Sequence, residues 1–168
     1  SRNGQQALAA YRQQAWENYL SLTMPVTADE AWRRTDLRNM PAGDFLPVGL
    51  QPESLNELPK PPAELLKPLV DNEYGGQILL TPPRIQVDIN PDLAKQGVIF
   101  TDLASAEREH PQTLAKILGQ VVRTAEGKFA ALAGALARQG VLLYVPRGVQ
   151  VEQPLHSILW GPGADIAS

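Results

Sequence analysis

Residues 128–149 read KFAALAGALARQGVLLYVPRGV, and this stretch decides the fold class. Its large apolar side chains in the first half fall on one helical face: Phe129, Leu132 and Leu136. Alanine fills most other positions, which predicts a helix over Lys128–Gln139 that ends at Gly140. The β-prone run Val141–Val145 follows directly and predicts a strand. A helix that passes into a short strand indicates an α+β protein.

Further short strands are predicted downstream, over Val149–Val151 and Leu155–Trp160, with prolines between the runs. Short strands with a corner every few positions suit a parallel β-helix, in which each rung bends and stacks on the next. The same pattern also fits a β-sandwich or a roll.

Upstream, a mixed α/β region is expected to begin at residue 75. Strands are predicted over Gln77–Thr81, Arg84–Ile89 and Gly97–Phe100. Asp102 or Ser105 is placed to cap a helical turn through Arg108, and Pro111 starts another helix. We therefore expect a region spanning 75–168, with helices over about 103–118 and 128–139 and strands over about 77–100 and 141–160.

The first 74 residues are expected to be helical and then extended. Apolar positions over Gln5–Leu22 recur at helical spacing, which predicts an amphipathic helix that Pro25 ends. Thr27 and Glu30 have the spacing of a capping box, which predicts a short second helix carrying Trp32, Arg33 and Arg34. Seven prolines between residues 41 and 68 predict an extended, surface-packed connector with a turn of helix near Leu65.

The composition argues against several functions. Of the 168 residues, 15 are Lys or Arg and 18 are Asp or Glu, so the net charge of −3 disfavours binding to nucleic acid or to an anionic membrane. The chain has no cysteine and thus no disulfide, thiolate ligand or thiol nucleophile. No apolar run approaches the roughly 20 residues of a spanning helix, so we expect a cytoplasmic protein. Neither terminus carries a start or stop signal, and we expect both ends to be cut from a longer chain.

No residue set predicts a catalytic, cofactor-binding or metal site. The only histidines are His110, which suits a surface or capping role at a helix start, and His156, which lies in a predicted strand. The acidic pairs at Asp29–Glu30 and Glu107–Glu109 fall at helix ends, where they suit caps and solvated faces. Gly75–Gly76 and Gly161–Gly163 lack the lysine of a phosphate-binding loop and are interpreted as turns.

One patch allows two interpretations. Trp32 beside Arg33 and Arg34 could recognise a partner through cation–π stacking, or Trp32 could pack inward with both arginines in water. Packing is favoured. The role of His156 stays open in the same way.

Several runs together resemble the SufB/SufD family of iron-sulfur cluster assembly scaffolds, and SufD more than SufB. In that family a KFxALN-like helix leads to a glycine, a YVP strand, a basic residue, GV and a PL pair. The matching runs, in chain order, are EAWRRTDL at 30–37, Gly97-Val98, DLASA at 102–106, KFAAL at 128–132, GVLLYVPRGV at 140–149 and Pro154-Leu155. Arg34 and Ala133 depart from the family pattern, which usually has tyrosine and asparagine there.

The resemblance implies a helical amino-terminal region that leads into a right-handed parallel β-helix, truncated here. It also implies a non-catalytic scaffold subunit. This subunit acts with a SufB-like subunit and with a SufC-like subunit, which is the ATPase. The complex of full-length proteins would handle an iron-sulfur cluster, and whether a flavin contacts this segment is left open. An open solenoid end would favour self-association of the fragment.

Two other functions stay open at this stage. A β-solenoid interaction module unrelated to iron and sulfur would have different partners. A carbohydrate-active β-helix enzyme would need clustered carboxylates on one face, and the predicted strands supply few acids.

Overall fold

The computed structural model describes residues 6–40, 60–67, 74–81 and 84–161. The elements in chain order are α1 (Ala7–Ser21), 3-10 turns at Glu30–Trp32 and Ala63–Leu66, β1 (Gly76–Thr81), β2 (Arg84–Ile89), α2 (Pro91–Lys95), β3 (Ile99–Asp102), α3 (Leu103–Glu109), α4 (Pro111–Ile117), α5 (Lys128–Ala135), β4 (Val141–Tyr144) and β5 (Leu155–Leu159). The architecture is α+β, as the sequence predicts. Most of the proline-rich connector lies outside the described residues, and the helical turn predicted near Leu65 is present as the second 3-10 turn.

The chain divides into two compact units, each built from two chain segments. The helical unit comprises Ser1–Pro47 and Glu107–Arg138, and the sheet unit comprises Val48–Ala106 and Gln139–Ser168. The sequence boundary predicted between residues 74 and 75 stays a prediction.

In the helical unit, α1 packs against α5 through small side chains. Ala15 of α1 and Ala131 of α5 are fully buried, and Gly134 and Ala135 are buried beside them. Small residues at such a contact let two helix backbones approach closely, and Leu8 and Leu114 add the larger buried side chains of this unit. The face of α5 predicted from Leu132 and Leu136 is thus not the most deeply buried one, since Leu136 is 48% exposed.

In the sheet unit, the strands form a three-stranded sheet in the order β2-β1-β5 and a two-stranded sheet of β3 and β4. β1 pairs antiparallel with β2 and parallel with β5, and β3 pairs antiparallel with β4. Ile78 and Leu80 of β1 are buried against Phe100 of β3, and Ile89, Val141 and Leu155 pack around them. Alternation along β1 therefore directs Ile78 and Leu80 into this core, whereas the buried Leu79 lies on the opposite face of the sheet.

The prediction of a right-handed parallel β-helix is wrong for the described residues. Two of the three strand pairs are antiparallel, whereas a parallel β-helix stacks its strands in parallel. The physical reason for the first pair lies in the sequence: two residues separate β1 from β2, too few for a parallel crossover. The strand predicted at Val149–Val151 is also absent, because this segment carries no strand pairing.

The helix predicted over Gln5–Leu22 is confirmed as α1, which ends at Ser21, before Pro25. Other local features differ from expectation: the second helix is only the 3-10 turn Glu30–Trp32. Sequence reasoning missed α2, although Asn90 followed by Pro91 is a helix-start signal and the Asn90 side chain accepts from the Asp92 N–H. No helix in the described part of the chain is long and apolar enough to cross a membrane.

Candidate functional site

Two separated sequence motifs meet in the helical unit. Trp32, from the run at 30–37, stacks on Phe129 at the start of α5, with ring centroids 5.1 Å apart and ring planes 29° apart. Offset aromatic stacking adds about 0.5–1.5 kcal/mol beyond the area that the rings bury. We call Tyr19, Trp32, Lys128 and Phe129 the motif contact.

Lys128 of the motif contact caps the carboxyl end of α1. Its Nζ donates to the carbonyl oxygens of Tyr19 at 2.5 Å and Leu22 at 2.8 Å, and it lies 4.1 Å from the centroid of the Tyr19 ring. The last carbonyls of a helix lack intrahelical donors and carry the negative end of its dipole, so an ammonium group is favourable there. Tyr19 in turn stacks on Trp16 at 5.2 Å.

The structure places Trp32 as the packing interpretation predicts. Its ring is half-buried on Phe129, while Arg33 and Arg34 are exposed. Arg33 forms an ion pair with Glu30 at 3.1 Å, in which both side chains are largely exposed, so its contribution to stability is about 1 kcal/mol or less.

The predicted capping box at Thr27 and Glu30 is wrong. The Asp29 carboxylate accepts from the Val26 N–H at 3.0 Å, and the Asp29 N–H donates to the Val26 carbonyl. A closed loop of this kind competes with a helix cap, which explains why the chain forms a single 3-10 turn here.

Asp36 and Arg38, at the end of the same motif, form an exposed forked ion pair. The guanidinium Nη2 lies 2.6 Å from one carboxylate oxygen, and Nε donates to both oxygens. The hydrogen bond from the Arg38 side chain holds the pKa of Asp36 below its ordinary value, and the Arg38 backbone N–H adds to this effect. Sequence reasoning did not single out this pair.

His156 lies on β5, opposite Gln77 of β1 in the parallel register. The Gln77 amide nitrogen donates to the Leu66 carbonyl at 3.0 Å and lies 3.3 Å from Nδ1 of His156. Which of the two groups donates in this second contact depends on the tautomer of the His156 ring. His156 thus joins a contact that links the 3-10 turn at Ala63–Leu66 to the sheet.

The remaining candidates have local roles. Glu107 Oε1 accepts from the Leu8 N–H at 2.9 Å and caps the amino end of α1, where no cap comes from Gln6. His110 precedes α4 but its side chain forms no capping hydrogen bond. The turn predicted at Gly75–Gly76 is wrong for Gly76, which begins β1. The Gly75 N–H donates to the Pro154 carbonyl and the Gly75 carbonyl accepts from the Asn90 N–H, so these bonds join distant segments next to the sheet.

Asp102 is the most buried acidic side chain among the described residues, with 5% exposed. Its Oδ1 accepts from the N–H groups of Ala104 and Ser105 at 2.9 and 3.0 Å, which confirms it as a cap of α3. Burial raises the pKa of Asp102, but hydrogen bonds from the Ser105 side chain and from the backbone outweigh burial, so the pKa lies below its ordinary value. Within the described ranges, no group of three or more His, Asp or Glu residues is placed to hold a metal ion.

Comparison with known proteins decides the family. The model of the SufBD protein N-terminal region matches residues 1–156. The chain belongs to the SufBD family. This match includes both halves of the motif contact.

Related proteins of the SufBD family match the chain over different lengths. The iron-sulfur cluster assembly protein SufD of Bacillus subtilis is 33% identical over 93% of this chain and 35% of its own length. A SufBD family protein of Arabidopsis thaliana is 26% identical over 88% of this chain and 34% of its own. SufB of Bacillus subtilis is 37% identical over 42% of this chain and 15% of its own length.

The chain spans about a third of the length of the first of these relatives. No solved structure matches it significantly. The expectations about an iron-sulfur cluster, a flavin and a cytoplasmic location stay predictions. Self-association also stays a prediction. It was expected from an open solenoid end, and the described residues form no solenoid.

Proposed function

We propose that the protein carrying this chain works in iron-sulfur cluster assembly, with this segment as a non-catalytic, SufD-like scaffold part. It acts in the cytoplasm with a SufB-like subunit and a SufC-like ATPase. The iron-sulfur cluster is the cargo of the complete complex.

One observation carries this proposal: the family match extends over residues 1–156, and the similarity to a protein named as SufD covers 93% of the chain. The relatives reported above are named for iron-sulfur cluster assembly or its SufBD family. The rival functions rested on a β-solenoid, which the described residues do not form, so no observation favours them.

The side-chain geometry supports an architectural role. Three charged side chains bond to backbone atoms at helix ends: Lys128 to the end of α1, Glu107 to its start and Asp102 to the start of α3. Each of these contacts fixes an element in place. They suit a segment that holds its shape for partner subunits.

The test is a pull-down of the tagged full-length protein from its own cells, read by mass spectrometry. Recovery of a SufB-like protein together with a SufC-type ATPase is expected. An untagged strain grown in parallel identifies background proteins. Recovery of neither subunit above that background contradicts the proposal.

The non-catalytic part of the proposal needs a separate measurement. The purified full-length protein without its partners is expected to show no ATP hydrolysis above buffer, and the activity should appear when the SufC-type subunit is added. Hydrolysis by the purified protein alone would contradict a purely structural role.

A further inference from the structure

β2 is an edge strand of the three-stranded sheet. Among the described residues it pairs only with β1, and Arg84 to Asp88 are all exposed. Ile85 and Val87 are 38% and 42% exposed, although they lie on the face of the sheet that carries Ile78 and Leu80. Exposed strand edges of this kind are sites for pairing with another chain.

The register shows which backbone groups of β2 point outward. The Trp160 N–H donates to the Leu80 carbonyl at 2.9 Å, so Leu80 directs its backbone groups towards β5. Because directions alternate along a strand, Leu79 directs its groups towards β2 and bonds with Gln86, its partner in the register. The backbone groups of Ile85 and Val87 therefore point away from β1, towards the open edge.

We propose that this edge is a homodimer interface, in which β2 of two copies pairs antiparallel about a two-fold axis at Gln86. Arg84 of each copy then lies opposite Asp88 of the second copy. Ile85 lies opposite Val87 of the second copy, and Gln86 lies opposite itself. The proposal is independent of the function proposed above.

Charge complementarity selects this register. Residues directly opposite each other in an antiparallel pair share a face of the sheet, so polar positions must meet polar positions. A shift by one pairing step places Gln86 opposite Asp88 and removes the contact between opposite charges. Within the described part of the chain, neither Arg84 nor Asp88 forms a salt bridge, so both are available to the second copy.

The backbone and the apolar side chains agree with the same register. The outward N–H and carbonyl groups of Ile85 and Val87 face each other across the axis and can exchange hydrogen bonds. Arg84 and Asp88 then form the pair without backbone hydrogen bonds, the type in which opposite side chains are closest. The half-exposed side chains of Ile85 and Val87 extend the apolar face of one sheet into the next.

A charge-exchange cycle on the 168-residue chain tests the interface. Sedimentation velocity over a concentration series should show a dimer for the wild type. Arg84→Asp and Asp88→Arg should each weaken dimerisation about tenfold or more, because every substitution places like charges opposite each other at both symmetric positions. The double variant carrying both substitutions should recover the wild-type dimerisation constant.

A cross-link tests the position of the axis. The chain has no cysteine, so Gln86→Cys introduces a single thiol next to its own symmetry mate, at a separation suited to a disulfide. Mild oxidation should give a covalent dimer, whereas the exposed control Gln120→Cys in the helical unit should stay monomeric on a non-reducing gel.

Far-UV circular dichroism, compared with the wild type, verifies that each variant is folded. A wild type that is monomeric at every soluble concentration overturns the proposal. So does a dimer that the single charge reversals leave unchanged, or one that the double variant fails to restore.

Discussion

The helical unit and the sheet unit hold distant segments of the chain together in opposite ways. In the helical unit, α1 meets α5 through Ala15, Ala131 and Gly134, and polar side chains such as Lys128 bond across the contact. In the sheet unit, the large side chains of Ile78, Leu80 and Phe100 fill a volume between strands.

This difference predicts opposite sensitivities to substitution. A contact made by small residues leaves little room, so added atoms destabilise it. A core made by large residues depends on its volume, so removed atoms destabilise it. The predictions that follow test this contrast, beginning with the largest expected effect.

Leu80→Ala should destabilise the sheet unit by about 3 kcal/mol, because Leu80 is 1% exposed and its removal leaves a cavity beside Ile78 and Phe100. Urea denaturation followed by circular dichroism gives the change in unfolding free energy. The control is Leu159→Ala, since Leu159 is the β5 partner of Leu80 but is 67% exposed. Equal losses for both variants would show that the core does not depend on buried volume.

Gly134→Ala should destabilise the helical unit by about 1–3 kcal/mol, although alanine favours a helix. A Cβ at this position would lie 2.8 Å from Thr124 Cγ2 and 3.0 Å from Ala15 Cβ. Thr124 cannot turn freely, because its hydroxyl accepts from the Asn18 amide at 2.7 Å.

The control for this prediction is Gly161→Ala, because a Cβ there meets nothing within 4 Å and the position lies outside the helices. Its unfolding free energy should stay within about 0.5 kcal/mol of the wild type. Thermal melts of both variants make the comparison. A stabilised Gly134→Ala chain would mean that α1 and α5 are not in close contact.

Lys128→Met should cost about 1–2 kcal/mol, because it removes the donor at the carboxyl end of α1 and the cation over Tyr19. Methionine keeps most of the apolar length of the side chain. Lys116→Met on α4 is the control, since Lys116 is exposed. With Trp160 of the sheet unit replaced by phenylalanine in both variants, the fluorescence of Trp16 and Trp32 during urea denaturation reports on the helical unit. Equal midpoints for the two variants would contradict the capping role.

The sequence predicts where most elements lie, because each depends on a local pattern. The alternation of Ile85, Val87 and Ile89 predicts β2, and the cap at Asp102 follows from an acceptor placed before a helix. Patterns fail where two local options compete, as at Asp29, whose bond to Val26 displaces the predicted capping box.

Partner choice between distant segments could not be predicted. The large residues of α5 indicated one face, but the close fit of Ala131 and Gly134 to Ala15 of α1 selects another. In the same way, no local sequence pattern predicts that Gln77 of β1 lies beside His156 of β5. The stacking of Trp32 on Phe129 likewise joins two motifs that the sequence shows only separately.

Asp102→Asn should give the smallest of these effects, a loss of about 1 kcal/mol at neutral pH. Asparagine retains one acceptor for the N–H groups of Ala104 and Ser105 but lacks the negative charge at the start of α3. Because the native pKa of Asp102 is lowered, its carboxylate stabilises the fold above the pKa of the unfolded chain, and this contribution is lost as the pH falls through the native pKa. The difference between wild type and variant should therefore be full at neutral pH and shrink below about pH 4. Urea denaturation at several pH values measures it, with the exposed Asp92→Asn as control. A difference that grows on acidification would mean that burial, and not hydrogen bonding, dominates at Asp102.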